Sequence, residues 1–573
     1  MSQLTEVTTA PEAATAPAVT TAPDELVGPL ERGLAVLRAV ATGPGTRHRP
    51  GDLVRTTGLA RSTVDRVATT LVRLGFLRTE DRDLLLAPRS AELGNAYLAV
   101  CAFLEALGPR AEALADELDE SVSVAVPDGD GVRFIAQAAR RRAMAISFRV
   151  GDLLPAERCA PGALFAADWD DVQRERWRAR RLHDPLDTDF PALPPRPAGA
   201  EPASEKVEAD FVARVRQARE DGFAVDSRLI EPGLIAVSLP VRDPAGAVVC
   251  AVSVVSHTSR HSAESLTARV LPPLRAAVAT MEAALRTPSA NGTPATATAV
   301  RPPHSGSALK EELGAGFLQS LARGLDVLCA FGSLDGPARL ADLARLTGLP
   351  RATARRSLIT LRHLGYVQED ADGFRALPRV LELGYARLSG LTLAGIATPH
   401  LAELVDRVHE SASLAVLDDD EIRYVARVAS TRIMHIDITV GTRLPAYATS
   451  MGRVLLAALP DDQREARLAR VTPEALTPRT VATPEALAKA VAATARLGYA
   501  WVEQELEEGL RSIAAPVTNG GGQVVAAVNV ALHAGRATGE ESLATLLPHL
   551  LETAARISAD LAAVGRFSPV PTG

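Results

Sequence analysis

The chain has 573 residues, enough for about four domains of ordinary size, and its hydrophobic content of 47% supports buried cores. The sequence contains no run of about 18 apolar residues, so no membrane-spanning helix is predicted. Four scattered cysteines argue against a disulfide framework or a metal site and favour a reducing, cytoplasmic environment. The net charge of -7 offers no overall attraction to nucleic acid, but this average conceals an uneven distribution. Residues 1–24, rich in Thr, Ala and Pro, lack signal-peptide features and predict a disordered tail.

The chain contains a long internal repeat. Residues 31–76 match residues 322–366, and later positions such as Gly151 and Gly441 are related by an offset of 290. The offset then falls to 276, so the first copy holds 14 extra residues, the difference of the two offsets, which we place in the proline-rich stretch 190–202. A two-unit repeat of this length indicates a duplicated multidomain protein, because solenoid repeats have periods of roughly 20 to 50 residues.

Each copy begins with a predicted helix-turn-helix, which we call a head. In the second head, a helix over 340–346 ends before Gly348, and a new helix begins near Pro350, a residue favoured in a first helical turn. The new helix has an apolar stripe on one side and a polar face nearly opposite, and the first head preserves both. Short strands joined by a charged turn follow at 77–87 and 367–377, which predicts a wing in each head.

The heads are basic, whereas the acidic surplus lies in segments such as 116–120, 418–421 and 503–508. Arginine can bond guanine with two hydrogen bonds, threonine can contact bases, and an arginine near a helix start suits a phosphate. We therefore predict that Arg66 and Arg356 read bases, while the arginines nearest the helix starts contact the DNA backbone. The predicted DNA-contacting residues are Arg61, Thr63, Arg66, Thr70, Arg351, Thr353, Arg356 and Thr360. The alternative is a solvated helix face in a small-molecule sensor scaffold that does not bind DNA.

An apolar linker helix is predicted after each head, over 89–107 and 379–393. Its apolar stripe would pair with the stripe of the other copy or pack onto its own head, and the sequence leaves both arrangements open. Each copy continues into a segment that we call its body, which alternates short β-rich runs, such as 413–417 and 524–532, with helices such as 484–497. This mixture predicts an α+β fold with a mainly antiparallel sheet flanked by helices.

Two segments of the second body are suited to ligand binding. Residues 445–452 run from an extended stretch into an apolar helix, whose first N–H groups can hold a carboxylate or carbonyl oxygen. Residues 501–512 are rich in polar groups, and Asn529 lies in an otherwise apolar run. Polar groups that converge on an apolar pocket are typical of a small-molecule site. An ordinary helix cap at Thr449 and Ser450, and a satisfied core amide at Asn529, are the alternatives.

No arrangement typical of an enzyme is repeated between the two copies. Matched Ser/His/Asp arrangements, paired carboxylates, phosphate-binding loops and metal-ligand spacings are all missing from the sequence. His257 and His261 lie four residues apart, but they occur in the first body alone, and we interpret them as solvent-facing. We therefore expect neither catalysis nor a cofactor nor a metal.

Four segments of the second copy carry a family resemblance. They are residues 322–328, the helix start Gly-Leu-Pro-Arg-Ala-Thr, the run Leu-Pro-Ala-Tyr-Ala-Thr-Ser-Met-Gly-Arg-Val-Leu-Leu-Ala, and the run Glu-Gly-Leu-Arg-Ser-Ile-Ala-Ala-Pro-Val. Together they resemble the IclR family of bacterial transcription regulators, over residues 30–285 and 318–565. The second copy is most similar to the branch that controls aromatic-acid catabolism through the β-ketoadipate pathway.

The resemblance implies winged helix-turn-helix heads, linker helices and GAF-like effector domains, with a double-stranded DNA operator and a small organic acid, in this branch an aromatic carboxylate, as partners. It implies effector contacts from Ser450, Met451, Gly452, Glu503, Ser512 and Asn529, with Arg432, Arg443 and Arg511 as candidate counter-charges. The domain prediction is a tail (1–24), winged helix-turn-helix 1 (25–90), linker helix 1 (91–108), effector-like domain 1 (109–287), a flexible linker (288–312), winged helix-turn-helix 2 (313–378), linker helix 2 (379–397) and effector-binding domain 2 (398–573).

The first body departs from the family pattern. Its segment 155–162 lacks the Thr-Ser helix start and contains Pro161, and Ile235 replaces Arg511. We infer that the first body has lost or changed its ligand and that the second body senses the effector. Family members normally carry one copy, so two assemblies stay open: a homo-oligomer, and an intramolecular pseudo-dimer whose two heads bind one operator, which the linker 288–312 would allow.

Overall fold

The computed structural model describes residues 26–140, 148–193, 205–286, 314–334, 336–430, 438–535, 537–567 and 570–572. The predicted tail (1–24) and flexible linker (288–312) lie outside these residues. Within the described part of the chain, no helix has the length and apolar character needed to cross a membrane.

The first copy runs from a three-helix head with a two-stranded wing, through a broken helical linker, into a body built on one sheet. Its head contains α1 (Gly28–Thr42), α2 (Pro50–Thr57), α3 (Arg61–Arg73), β1 (Leu77–Glu80) and β2 (Asp83–Leu86). The linker and body contain α4 (Ala91–Val100), α5 (Ala102–Leu118), β3 (Ser121–Asp128), β4 (Gly131–Ala138), β5 (Leu153–Pro155), α6 (Ala160–Ala166), α7 (Asp171–His183), α8 (Glu205–Asp221), β6 (Ala224–Ser227), β7 (Leu234–Arg242), β8 (Val248–His257) and α9 (Ala263–Arg286).

The second copy repeats this order. Its head contains α10 (Gln319–Ala330), α11 (Leu340–Thr347), α12 (Arg351–His363), β9 (Val367–Asp370) and β10 (Gly373–Ala376). The linker and body contain α13 (Tyr385–Leu388), α14 (Leu393–Val408), β11 (Ser411–Asp418), β12 (Glu421–Val428), β13 (Arg443–Pro445), α15 (Ser450–Ala457), α16 (Asp461–Arg470), α17 (Pro484–Leu497), β14 (Ala500–Glu503), β15 (Leu510–Thr518), β16 (Val524–His533) and α18 (Gly539–Val564).

The turn of each helix-turn-helix is set by a glycine. Gly58 ends α2 at φ 68°, and Gly348 ends α11 at φ 65°. These are left-handed conformations that glycine adopts without steric cost, and they let the chain reverse direction directly into the next helix. The predicted helix-turn-helix and the hairpin wing after it are both confirmed.

Each body holds a six-stranded antiparallel sheet, in the order β5-β4-β3-β8-β7-β6 in the first copy and β13-β12-β11-β16-β15-β14 in the second. Successive strand residues point to opposite faces. Val528 and Val530 of β16 therefore belong to a large core beneath α18, whereas Ala527 packs with Met451 at the start of α15 on the other face. The predicted α+β class with an antiparallel sheet is confirmed, and the large core continues through both heads.

The predicted linker helices are not continuous. The first linker breaks at Cys101, between α4 and α5. The second linker is a 3-10 segment, Pro378–Leu383, followed after Gly384 by the four-residue helix α13, because Gly384 has φ 129° and leaves the helical conformation. The two linkers do pack on each other: a Cβ on Gly94 would lie 2.3 Å from the ring of Tyr385. Pairing between the copies is thus the arrangement that the structure supports.

The two heads also pair, through reciprocal contacts between matched residues. The side chain of Leu30 packs on Gly324, and that of Leu321 packs on Gly33, so that α1 and α10 lie in close contact. A Cβ on Gly33 would lie only 2.2 Å from Leu321 Cδ1, and a Cβ on Gly324 only 2.5 Å from Leu30 Cδ1. The matched contacts thus place the two heads of one chain directly against each other.

Candidate DNA-binding face and effector cavity

Helices α3 and α12 hold most of the predicted DNA-contacting residues at the surface. All four predicted arginines are exposed, and the two threonines near the helix starts are partly exposed: Arg61, Arg66, Arg351, Arg356, Thr63 and Thr353. The two helices differ in charge at one matched position. Arg61 pairs with Asp65 across one helical turn at 3.1 Å, whereas the position matched to Asp65 is Arg355.

Thr70 and Thr360, in contrast, cannot contact DNA in this structure, and their prediction as DNA-contacting residues was wrong. They are 0% and 1% exposed. The Thr70 hydroxyl accepts the N–H of Leu318 at 3.1 Å, and the Thr360 hydroxyl accepts the N–H of Val27 at 3.0 Å. Both threonines lie on the predicted helix face, but the leading segment of the other head covers that end of the face.

The second body contains a small cavity of about 30 Å³ between the start of α15 and the sheet. A cavity needs about 10–15 Å³ by this measure to hold one water molecule, so this one has room for about two. Most of its lining side chains are apolar, with a few hydroxyl and amide groups among them. The lining residues are Tyr424, Ile438, Ala448, Thr449, Ser450, Met451, Val502, Leu506, Leu510, Ser512, Asn529 and Ala531.

Three polar side chains in this cavity form one hydrogen-bonded group. The hydroxyls of Ser450 and Ser512 lie 2.6 Å apart, and Asn529 Nδ2 donates to Ser512 Oγ at 3.0 Å. Asn529 is 4% exposed, and its Oδ1 has no hydrogen-bond partner among the described residues. Because an unpaired buried acceptor is costly, this oxygen is suited to accept a hydrogen bond from a ligand hydroxyl.

The start of α15 adds hydrogen-bond donors to the same cavity. The Thr449 side chain caps the helix by accepting the N–H of Gly452 at 3.1 Å, so the predicted cap alternative is correct for Thr449. The N–H groups of Ser450 and Met451 belong to the first turn, which has no acceptors within the helix. These groups and the positive end of the helix dipole favour an anionic oxygen.

Four residues that the family resemblance implied do not line the cavity. Gly452 is packed against the backbone of Ala446, and a Cβ there would lie 2.1 Å from the Ala446 carbonyl oxygen, so its role is close packing. Glu503 follows Val502 on β14 and therefore points to the other side of the strand, where Arg511 hydrogen-bonds to it and lowers its pKa.

The remaining two are arginines that are held elsewhere by hydrogen bonds. Arg511 donates to Glu503 and to a backbone carbonyl, and Arg443 is held at the surface by Glu421 and Asp418. Arg432 lies outside the described residues.

A different arginine lies on the cavity face of the sheet, and the sequence interpretation missed it. Arg427, Ser413 and Asn529 are direct neighbours in register across β12, β11 and β16. Arg427 donates to the Ser413 hydroxyl at 3.3 Å. Burial raises the pKa of the cavity-lining Tyr424 to about 12, and the charge of Arg427 acts in the opposite direction by lowering that pKa. Only the strand register, with its bulge at Leu414, reveals this placement.

A buried ion pair stabilises the helix whose start forms the cavity. Arg453 on α15 is 5% exposed and donates to both carboxylate oxygens of Glu505, with Nη1 to Oε1 at 2.8 Å, and to the Tyr447 carbonyl. The same carboxylate accepts the N–H of Val481. This pairing fixes the loop after β14 against the helix whose start forms the cavity.

The corresponding place in the first body is chemically different. Ser450, Ser512 and Asn529 are matched there by Ala160, Ala236 and Ser253. Tyr424 and Ile438 are matched by Phe134 and Phe148, whose rings stack with centroids 4.1 Å apart. Val502 is matched by the buried Asp226, and burial raises the pKa of this carboxyl to about 7. The first body therefore has neither the polar triad nor the arginine on the sheet, since Gln137 matches Arg427.

Comparison with known proteins identifies the family. The IclR helix-turn-helix model matches residues 29–81 and 320–371, and the bacterial transcriptional regulator IclR C-terminal model matches 206–283 and 385–559. The Pca regulon regulatory protein of Pseudomonas putida is 45% identical over 41% of this chain and 81% of its own length. The chain belongs to the IclR family. It is thus a DNA-binding transcription regulator with two IclR units in one polypeptide.

Other similar proteins are also named as transcription regulators. The p-hydroxybenzoate hydroxylase transcriptional activator of Acinetobacter baylyi is 32% identical over 44% of this chain and 94% of its own length. A crystal structure of a transcriptional regulator from Rhodococcus sp. RHA1 is 50% identical, covers 44% of this chain and 100% of its own, and has a TM-score of 0.40. The Pseudomonas putida and Acinetobacter baylyi regulators each match less than half of this chain over most of their own length, so these two relatives do not share its tandem arrangement.

Proposed function

We propose that the two heads of one chain bind a single operator together, as an intramolecular pseudo-dimer, and that an aromatic carboxylic acid in the second body regulates this binding. The observation that carries the first part is the reciprocal pair of hydrogen bonds from Val27 to Thr360 and from Leu318 to Thr70. Helix-turn-helix proteins bind two half-sites through paired heads. Here one chain supplies both heads of the pair.

The DNA-contacting residues follow from the exposed faces of α3 and α12. Arg66 and Arg356 read base edges, and Arg61 and Arg351 contact phosphates near the helix starts. Thr63 and Thr353 lie beside them on the same faces. The proposed domain limits stay as the sequence analysis has them, except that each linker is a broken segment and not one helix.

The effector proposal rests on the chemistry of the cavity. Asn529 Oδ1 accepts a hydroxyl of the ligand, and the N–H groups at the start of α15 hold its carboxylate, with Met451 packing on the ring. Arg427 supplies the balancing positive charge on the sheet. A p-hydroxybenzoate-like acid has this combination of groups, and the name of one relative, the p-hydroxybenzoate hydroxylase transcriptional activator, supports it. Genes of aromatic-acid catabolism are accordingly the proposed targets.

The small volume of the cavity implies a conformational change on binding. A volume of about 30 Å³ cannot hold an aromatic ring, so we infer that the ligand enlarges the cavity by moving α15 away from β15 and breaking the contact between Ser450 and Ser512. On the other face of the sheet lies α18, which contacts β15 and ends on the linker of the first copy, where Asn95 Nδ2 donates to the Ala563 carbonyl at 2.7 Å. Arg566 also donates to the Gly332 carbonyl in the second head at 2.9 Å. Movement of this sheet is therefore transmitted to the spacing of the heads.

Calorimetry on the full chain with three ligands tests the effector assignment. We expect p-hydroxybenzoate to bind more tightly than benzoate, which lacks the hydroxyl, and than p-hydroxybenzyl alcohol, which lacks the carboxylate. Asn529→Ala should remove the preference over benzoate, a loss of about 5- to 150-fold, because leaving a buried hydrogen-bonding group unpaired costs about 1–3 kcal/mol. Arg427→Gln, which installs the residue of the first body, should remove the preference over the alcohol.

The matched control is Ser253→Ala in the first body, which should leave all three affinities unchanged. If Asn529→Ala weakens p-hydroxybenzoate and benzoate equally, Asn529 does not contact the hydroxyl. If none of the three ligands binds, the aromatic-acid proposal fails.

The DNA assignment is tested on the intergenic DNA next to the encoding gene. We expect one chain per operator, and a loss of specific binding in both Arg66→Ala and Arg356→Ala, with each guanine contact contributing about 1–3 kcal/mol. Thr69→Ala, an exposed neighbour whose hydroxyl bonds to its own helix, is the matched control. Two chains per operator would contradict the intramolecular pseudo-dimer.

A further inference from the structure

The two heads do not present the same surface to DNA. Three matched pairs on the reading faces are identical: Arg61 and Arg351, Thr63 and Thr353, and Arg66 and Arg356. On the same faces, the exposed position just before Arg66 and Arg356 carries Asp65 in the first head and Arg355 in the second. In the first head this carboxylate pairs with Arg61 at 3.1 Å, so it partly neutralises that reading face. The second head has a positive charge in its place.

The wings differ in the opposite sense. The tip of the first wing carries the exposed Arg82, and the matched position in the second wing is the exposed Asp372. The second wing is acidic around this tip, where Arg375 pairs with both Asp370 and Asp372 and Arg362 pairs with Glu369.

The first wing also carries acids, but Glu80 and Asp83 are paired with Arg47 and Arg49, and Arg82 is exposed at the tip. DNA phosphates attract an exposed arginine and repel a carboxylate. The first head is therefore equipped to contact the DNA backbone with its wing as well as its recognition helix, and the second with its recognition helix.

We propose that this chain recognises an operator with two unlike half-sites and binds it in one orientation only. The proposal rests on the proposed pairing of both heads on one operator. A regulator made of two identical chains presents two identical heads, and its operator mirrors that symmetry. In this chain the reciprocal contacts always join one first head to one second head, so each complex holds one reading face with Asp65 and one with Arg355.

The shared residues define what the half-sites have in common. Arg66 and Arg356 read the same base in each half-site, while the base or phosphate next to it meets a carboxylate in one half and a guanidinium in the other. The first half-site includes a phosphate contacted by Arg82, which the second lacks. The operator is thus a pseudo-palindrome whose two half-sites differ in their flanking phosphate contact.

Directed cleavage of the operator tests the orientation. An iron chelate that cleaves DNA is attached at Asp81→Cys in one full-length variant and at Ala371→Cys in another, which are matched wing-tip positions. Of the native cysteines, Cys101, Cys159 and Cys250 are buried and Cys329 is partly buried, and the treated wild type measures their background. We expect cleavage from each variant in one half-site only, opposite for the two variants, with at least a tenfold preference.

Equal cleavage of both half-sites by either variant would overturn the fixed orientation while leaving the DNA-binding proposal intact. Complete absence of specific binding to the intergenic DNA by the treated wild type would overturn the proposed function itself. The two failures are therefore distinguishable in one experiment.

Salt dependence tests the wing assignment with a matched pair. Arg82→Ala should reduce the slope of log affinity against log salt by about 0.9, the value for one lost phosphate contact, whereas Asp372→Ala should not reduce it. Both residues are exposed at wing tips, so neither change should affect folding. A slope unchanged by Arg82→Ala would remove the wing contact from the proposal.

Discussion

The head–head contact predicts the effect of replacing Thr70 or Thr360 with valine. Each hydroxyl accepts an N–H from the other head and donates to a carbonyl one turn earlier in its own helix, at 2.9 Å in both copies. Valine keeps the shape of the side chain but has no oxygen. The variants would therefore leave the N–H of Leu318 or Val27 without its acceptor.

A buried donor without an acceptor costs about 1–3 kcal/mol. Each single variant should lower the free energy of separating the heads by that amount, and the double variant by about 2–6 kcal/mol if the two effects add. The packing of Leu30 on Gly324 and of Leu321 on Gly33 is unchanged in these variants. We therefore expect the heads to stay paired but to open more often, and most often in the double variant.

Amide hydrogen exchange of the full chain measures this change locally, without requiring two-state unfolding of a multidomain protein. The amides of α1 and α10 should lose protection in Thr70→Val and in Thr360→Val. Thr69→Val is the control, because that hydroxyl is exposed and bonds only to its own helix, and it should leave protection unchanged. If Thr70→Val altered base preference while protection stayed the same, the hydroxyl would contact DNA and the reasoning from burial would be refuted.

Three other predictions concern the bodies and their connection to the heads. Burial raises the pKa of Asp226 from 3.8 to about 7, so between these pH values the folded state holds one more proton than the unfolded state. The first body therefore loses stability as the pH rises through this range. Asp226→Asn should flatten this pH dependence in exchange measurements on β6 and should stabilise the first body at pH 8. Glu505→Gln should destabilise the second body by about 3–5 kcal/mol, seen as lost protection in β14 and β15, because Arg453 would keep a buried charge without its partner; unchanged protection would contradict this. Asn95→Ala should leave acid binding intact but weaken the effect of the acid on operator affinity, and an unchanged effect would exclude this contact as the connection.

Much of the architecture was predictable because it depends on local residue patterns. The helix-turn-helix follows from the spacing of apolar residues and from one turn glycine in each copy, Gly58 and Gly348. The antiparallel sheets follow from short β-rich runs with tight turns. Of the candidate effector residues, Ser450, Met451, Ser512 and Asn529 line the cavity, because a helix start and a polar residue in an apolar strand are visible in sequence.

The errors arose where a residue's surroundings come from a distant part of the chain. Nothing in the local pattern distinguishes Thr70 from Thr63, since both lie on one helix face, and only the other head buries Thr70. Glu503 is one residue from the cavity-lining Val502, and strand alternation turns it away. Arg427 was missed because its place beside Asn529 depends on the pairing of three strands and a bulge.

The sequence by itself determined that the chain is a duplicated regulator with two helix-turn-helix heads, because the repeat, the helical periodicity and the turn residues are local properties. Only the tertiary structure decided that these heads pair with each other, that the two linkers pack on each other, and which polar groups meet in the second body. Those outcomes depend on contacts between residues hundreds of positions apart, such as Val27 with Thr360 and Asn95 with Ala563. Hydrogen bonds and close packing at such separations are properties of the folded chain and leave no periodic signal in its sequence.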